Sequence, residues 1–228
     1  MALRRCTAFA AALSALRPSQ RQLGRRAQAG PDVSAALEPC AAALSDAAVA
    51  AVARDAAPGT LFIVPVPLGE SSDMSLRCAA ALLASDVIAC EDTRKTGKLL
   101  ELMAAPRTGP APVKLVRHDE HTWQRAVPAL LDQLAGGAVV ALVSDAGTPA
   151  VSDPGAELVA AAAAAGVRVV ALPGPCAAAT AVSASGQRLT AGWAFRGFPP
   201  PSGGARKAFF ERLGGDAAVL CVLLLLLH

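Results

Sequence analysis

Ser144-Asp145-Ala146-Gly147-Thr148-Pro149-Ala150-Val151-Ser152-Asp153-Pro154-Gly155 holds two carboxylates, two prolines and two glycines within twelve positions. It directly follows the apolar run Ala138 to Val143, which reads as a buried strand. Glycine lets a ligand approach the backbone closely, and proline fixes φ while removing a competing N–H. A loop of that make-up at the C-terminal end of a strand is where open α/β sheets bind ligands. A second cluster, Glu91-Asp92-Thr93-Arg94-Lys95, ends one apolar run and opens a helical one. Its acids suit the capping of a helix start; together with Arg94 and Lys95 they also suit the orientation of a polar substrate. The third cluster, His118-Asp119-Glu120-His121, lacks the i, i+4 spacing of two helical metal ligands, so no metal centre is expected.

The elements that must position these clusters follow a βα rhythm from Thr60 onward. The patterning predicts strands over Thr60–Val66, Asp86–Cys90, Val113–Arg117, Ala138–Ser144 and Val167–Leu172. Helices are predicted over Ser75–Ala84, with Leu76, Ala79, Ala80 and Leu83 on one face, and over Thr93–Met103 and Thr122–Leu134, with Pro128 a possible kink. Asp153 is expected to cap the next helix, with Pro154 in its first turn. A further helix is expected to run to about Ala184. Helices between successive strands imply an α/β fold with a mainly parallel sheet and flanking helices. Pro67–Gly69, Glu91–Arg94, His118–His121, Asp145–Pro149 and Pro173–Pro175 then all fall on one edge of the sheet. After Gly186 the pattern changes to a strand over Trp193–Phe198, a basic loop over Pro199–Lys207, a short helix over Phe209–Leu213 and a terminal strand within Ala217–Leu227. This reads as the start of a second α/β domain, shorter than a whole one.

Composition narrows the class. The 228 residues are 54% hydrophobic, but aromatics are only 4%, so small side chains must fill the core. Net charge is +3, and the excess is local. Arg4, Arg5, Arg17, Arg21, Arg25 and Arg26 all precede the first acid, Asp32, whereas 14 basic and 14 acidic residues follow from Gly59 onward. Residues 1–30 therefore have transit-peptide composition, with a chloroplast the expected address and a mitochondrion the alternative. Residues 31–57 read as a linker, 58–186 as the main domain and 187–228 as the partial second one. The six cysteines are scattered without a C-x-x-C pair, which suggests neither a zinc site nor a disulfide framework. Ala217–Leu227 is too short to span a bilayer. No G-x-G-x-x-G, P-loop or G-x-S-x-G motif occurs, which argues against the usual dinucleotide, nucleoside triphosphate and serine-hydrolase sites.

Four segments occur in order and at suitable spacing: Leu61-Phe62-Ile63-Val64-Pro65-Val66-Pro67-Leu68-Gly69, Glu91-Asp92-Thr93-Arg94-Lys95-Thr96-Gly97, Ser144–Pro149 with Ser152–Gly155, and Pro173-Gly174-Pro175-Cys176-Ala177. Together they resemble the ribosomal RNA small subunit methyltransferase I family, within the tetrapyrrole methylase superfamily. The resemblance covers roughly Gly59 to Phe198. It implies methylation of a cytidine 2′-hydroxyl in 16S-type ribosomal RNA, with S-adenosylmethionine as donor in a cleft between two α/β domains. It also implies a homodimer, with small-subunit ribosomal RNA or the subunit itself as partner. By position, Pro67 and Gly69 match the first cofactor loop, Asp145, Ala146, Gly147, Thr148 and Pro149 the central one, and Pro173, Gly174 and Pro175 the third.

A hydroxyl acceptor must lose its proton, and a carboxylate or imidazole within hydrogen-bond reach can take it. Asp92, Glu91 and His121 are the candidates, in that order. Arg94 and Lys95 are candidates to hold substrate phosphate, a contact that positions without reading bases. Two positions depart from the family pattern. Val66-Pro67-Leu68-Gly69-Glu70 stands where Thr-Pro-x-Gly-Asn is usual, and His121-Thr122-Trp123 stands where His-Asn-Glu is. The runner-up activity is C-methylation of a tetrapyrrole, and the Ser-Asp-Ala-Gly-Thr-Pro loop with the Glu-Asp-Thr-Arg segment favours RNA. A non-catalytic product that binds cofactor or a partner is the reading from another class.

Overall fold

The structure, a computed structural model, describes residues 52, 55–103, 113–186, 192–213 and 219–220. The leader, most of the expected linker and the 106–112 loop lie outside the described residues. The chain forms two compact units, one spanning 31–176 and the other containing 177–228.

The first unit is built on five parallel strands: β1 (Thr60–Ile63), β2 (Val87–Cys90), β3 (Lys114–Arg117), β4 (Val140–Val143) and β5 (Arg168–Ala171). They lie in the order β3-β2-β4-β1-β5. Leu61 pairs with Val140 and Val169, and Ile88 with Ala141 and Leu115. β2 and β4 are buried at every residue, which is why they read as unbroken apolar runs. The edge strands β3 and β5 start with exposed Lys114 and Arg168, charges that discourage further strand pairing. β1 is shorter than its apolar run predicts, because the chain leaves the ladder at Val64 and turns over the top of β4.

Helices α1 (Leu76–Ala84), α2 (Thr93–Met103), α3 (Trp123–Ala135) and α4 (Ala156–Ala164) connect the strands. Parallel crossovers are right-handed. The first two step toward β3 and lay α1 and α2 on one face; the next two step back toward β5 and lay α3 and α4 on the other. Two cores result. Phe62, Ile88 and Ala141 pack with Cys78, Leu82 and Met103 on one face, and Leu61, Ala89 and Leu142 with Leu130, Leu134 and Leu158 on the other. Val52 is buried in the first core, and Asp55 accepts from Arg77 (2.6 Å) and Arg168 (3.0 Å).

Two local expectations change. Leu76 is exposed, whereas the small-residue run Cys78–Leu83 is buried throughout; Ser75 caps this helix by accepting from Cys78 N at 3.1 Å. Pro128 lies inside α3 on its exposed side, and the helix continues to Ala135. Asp153 does not cap α4. The helix starts at Ala156 with Gly155 at its N-cap, φ 133°, where a Cβ would stand 2.7 Å from Leu142 Cδ2. Gly155 thus lets the start of the helix press against the central strand.

Gly97 lies inside α2 with open space where a Cβ would stand. Gly97→Ala is expected to stabilise the protein by roughly 0.5–1 kcal/mol, since alanine loses less backbone entropy in a helix. A higher urea midpoint at unchanged slope would report it.

In the second unit, helix α5 (Ala177–Ala184) is followed by β6 (Ala194–Phe195), α6 (Gly203–Leu213) and β7 (Val219–Leu220). β6 and β7 pair in parallel. Only Ala194–Phe195 of the predicted Trp193–Phe198 strand forms. The expected basic loop is largely helix: α6 takes in Ala205, Arg206 and Lys207, all strong helix formers whose pull outweighs Gly203-Gly204. Apart from Val219 and Leu220, the apolar Ala217–Leu227 run lies outside the described residues.

Candidate active site

Because β1 to β5 run parallel, their five following loops share one edge, as the spacing of the clusters predicts. The loop after β4 is the hub. On one side it pairs with the loop after β1, where Val66 N donates to Gly147 O at 2.9 Å and Gly147 N to Val66 O at 3.0 Å. Thr148 Oγ1 donates to Pro175 O at 2.7 Å, which ties in the loop after β5. Pro67, Gly69, Asp145–Pro149 and Pro173–Pro175 are thereby brought together within one network. Gly69, Ala146, Pro173 and Gly174 are exposed on this edge, Pro67, Asp145, Thr148 and Pro175 are half-buried, and Gly147 and Pro149 are buried.

The glycines also permit contacts within the protein. Gly147 has φ 79°, and a Cβ there would lie 2.9 Å from Leu68 Cδ2. A Cβ on Gly174 would lie 2.4 Å from Pro65 Cβ. Both permit a close approach between loops.

On its other side the hub clamps the loop after β2. Asp145 Oδ1 accepts from Asp92 N at 3.1 Å, and Asp145 Oδ2 takes Lys95 Nζ at 2.7 Å. In return the Glu91 carboxyl accepts from Asp145 N–H. Burial and the nearby Asp145 charge push the Glu91 carboxyl up. Asp92 caps α2, accepting from Arg94 N at 2.8 Å and from Arg94 Nη2 at 2.9 Å. Those Arg94 contacts hold its carboxyl down at about 2, so it is a weak base. Arg94 and Lys95 reach well into solvent, each already paired with an acid. Glu70 turns to Ser72 N (3.4 Å) at the start of a 3-10 turn, Ser71–Asp73.

The third cluster divides by role. Asp119 anchors the start of α3, accepting from His121 N (3.0 Å), Thr122 N (2.8 Å) and Arg117 Nε (2.5 Å). These donors, Thr122 foremost, drive its carboxyl well below the usual range. His121 faces solvent beside Glu120, 3.3 Å away. His118 is 1% exposed, neither ring nitrogen has a hydrogen-bond partner, and burial pushes its pKa down. Among the described residues, Cys78 and Cys90 are buried thiols raised by burial. No group of His, Cys, Asp and Glu among those residues stands close enough to hold a metal ion.

Asp153 takes a place that pattern reading missed. Released from capping, it is half-buried beside the Ser144 hydroxyl. It lines an open groove of about 280 Å³ with Glu120, Trp123, Ser152, Pro154 and Glu157. Burial, then the Glu91 charge, push its carboxyl up to about 6.

The likenesses to known proteins fit this edge-centred architecture. Ribosomal RNA small subunit methyltransferase I of Vibrio cholerae is 47% identical over 148 residues, 64% of this chain and 49% of that protein. The protein of the same name from Mycobacterium bovis is 46% identical over 158 residues, 69% of this chain and 54% of its own. That from Streptococcus pyogenes is 44% identical over 153 residues, 67% and 51%. The chain thus spans about half the length of the curated relatives it matches. Residues 60–224 match the profile of the tetrapyrrole (corrin/porphyrin) methylases. That match takes in the whole parallel sheet and all five loops on its edge, and by it the chain belongs to the tetrapyrrole methylase family.

Proposed function

We propose that the chain transfers a methyl group from S-adenosylmethionine to the 2′-hydroxyl of a cytidine in small-subunit ribosomal RNA. The observation that carries the reading is the interlocked edge, where the three loops matched to the cofactor meet the acid-rich loop after β2. The edge suits this donor chemically. The exposed residues Gly69, Ala146 and Gly174 carry amides and carbonyls that suit an adenosine and an amino-acid tail. Glu91, Asp92 and Asp145 outnumber Arg94 and Lys95 there, a balance that favours a sulfonium cation. When bound, the donor supplies an electrophilic methyl carbon.

The chain's own task is alignment and proton removal. The Val66–Gly147 bridge and the Thr148–Pro175 bond hold the loops in one arrangement. The reciprocal Glu91–Asp145 and Asp145–Asp92 bonds keep the acids on the neighbouring loop in register with them. Arg94 and Lys95 project from the rim, where long cations reach phosphate.

The acid-free, arginine-rich leader supports import into an organelle, a chloroplast ahead of a mitochondrion, where bacterial-type ribosomes supply the substrate. We place the working form as a homodimer. Among the described residues no helix is long and apolar enough to cross a membrane.

Calorimetric titration of S-adenosylmethionine into the full chain tests the reading. One site per chain with micromolar affinity is expected, followed by label transfer to small ribosomal subunits that lack the modification. A folded sample that binds no donor overturns it. Transfer to a porphyrinoid with none to RNA would move the acceptor to the tetrapyrroles of the family's description.

A further inference from the structure

Four acids on the sheet edge have a visible task among the described residues. Asp92 caps α2 and pairs with Arg94, Asp145 joins Asp92 N–H and Lys95, and Asp119 anchors α3. Glu91 receives the Asp145 amide. Asp153 belongs to none of the ion pairs among the described residues, caps no helix, and still sits half-buried at a groove.

The backbone that carries it is contorted. Ala150 and Ser152 have φ 63° and 61°, left-handed values that non-glycine residues rarely take, and Gly155 follows at 133°. Strain of this kind persists where the surroundings over-determine it, and it concentrates at working sites. Its result here is to turn Asp153 back toward Ser144 and the groove. The Ser144 hydroxyl is also near Ala146 O (3.2 Å) and Gly147 O (3.4 Å). With a single proton it can serve only one of these acceptors at a time. Around Asp153 the other titratable groups are Glu91 after β2, Asp145 on its own loop, Glu120 after β3 and Glu157 on α4, with His118 buried nearby. Every one of the acids repels a second negative charge, so a proton brought to Asp153 relieves that repulsion.

We propose that Asp153 is the proton acceptor of the reaction, taking the proton of a ribose hydroxyl that enters the groove beside Trp123. The inference rests on the methyl-transfer reading above. As the hydroxyl oxygen forms its bond to the methyl carbon, the carbon–sulfur bond breaks with its electron pair left on sulfur, and the hydroxyl proton passes to the Asp153 carboxylate. Charge balances, since a sulfonium and a carboxylate become a thioether and a carboxylic acid. Glu91 is the positioning partner, its charge keeping Asp153 basic. A carboxyl titrating near 6 is ionised at neutral pH, yet is far more basic than Asp92.

The test compares the full chain with Asp153→Asn and Asp153→Glu between pH 5 and 8.5. Readouts are methyl transfer to unmodified small ribosomal subunits, donor binding by calorimetry, and thermal midpoint. The wild-type rate is expected to rise through about pH 6 and level off. Asp153→Asn is expected to lose at least ~10²-fold in rate with donor affinity unchanged, and Asp153→Glu to recover part of it. The folded carboxyl binds its proton more tightly than the unfolded chain's. Its contribution to stability is therefore full below the ordinary 3.8 and lost as pH rises through about 6. Asp153→Asn should accordingly melt higher than wild type above pH 6, the opposite of what loss of a structural contact does. A wild-type rate in Asp153→Asn, or a lowered midpoint with lost donor binding, overturns the assignment. Wild-type protein that transfers nothing to RNA overturns the methyl-transfer reading, and this one with it.

Discussion

Gly174→Ala is expected to lower stability by about 2–3 kcal/mol and to weaken S-adenosylmethionine binding at least tenfold. A Cβ there would lie 2.4 Å from Pro65 Cβ and 2.9 Å from Pro65 Cγ. Neither partner can yield easily. Pro65 is buried and its ring has no rotamer to swing away. Gly174 stands between two prolines, in the loop that Thr148 holds through Pro175 O. The strain must then separate the loops after β1 and β5, and overpacking of this kind typically costs 1–3 kcal/mol. For a chain of this size the melting temperature should fall by roughly 5–10 °C. Gly166→Ala is the control: its φ is +71° with nothing within 4 Å of the added carbon. It should cost about 1 kcal/mol from backbone strain alone and leave donor binding intact. Equal behaviour of the two variants in calorimetry would show that the loop contact is irrelevant to the site.

Asp145→Ala should be the most damaging change to the acid side of the edge, with methyl transfer expected to fall ~10²-fold or more. Two donors lose their acceptor at once, Asp92 N–H and Lys95 Nζ. An exposed lysine re-solvates at little cost, but a half-buried amide left unpaired costs about 1–3 kcal/mol. The loops after β2 and β4 then remain joined chiefly by the Glu91 carboxyl on residue 145 N–H. A second effect is electrostatic. The Asp145 charge helps to raise both Glu91 and Asp153, so its removal should shift the rising limb of any residual pH–rate profile toward lower pH. Asp145→Asn separates the two effects, since it keeps an acceptor for Asp92 N–H while discarding the charge. A pH profile unmoved in both variants would disconnect Asp145 from the titrating acids.

The order and type of the first unit's elements were legible in the chain because its inner strands are apolar runs and all five are closed by Gly, Pro or acid clusters. β2 and β4, covered on both faces, leave no polar residue in Val87–Cys90 or Val140–Val143. The helices between them required parallel strands, and parallel strands required five loops on one edge. That argument needs only the periods of helix and strand and the rule that crossovers are long. Elements failed where composition was ambiguous. Gly203-Gly204 concealed a helix, and Ser152-Asp153-Pro154 imitated a helix start that the chain places two residues later, at Gly155.

The sequence by itself determined the sheet, the edge where its loops gather, the family and which residue types crowd there, because these follow from local periodicity and motif order. Only the tertiary structure decided what each crowded residue does. Asp92 and Asp153 are both aspartates beside a Pro- or Arg-bearing helix start. Arg94, two residues on, folds back to hold one carboxyl down at about 2, whereas burial and Glu91, 62 positions away in sequence, hold the other up to about 6. Proton affinity depends on solvation and on charge through space, and neither exists until the loops have met.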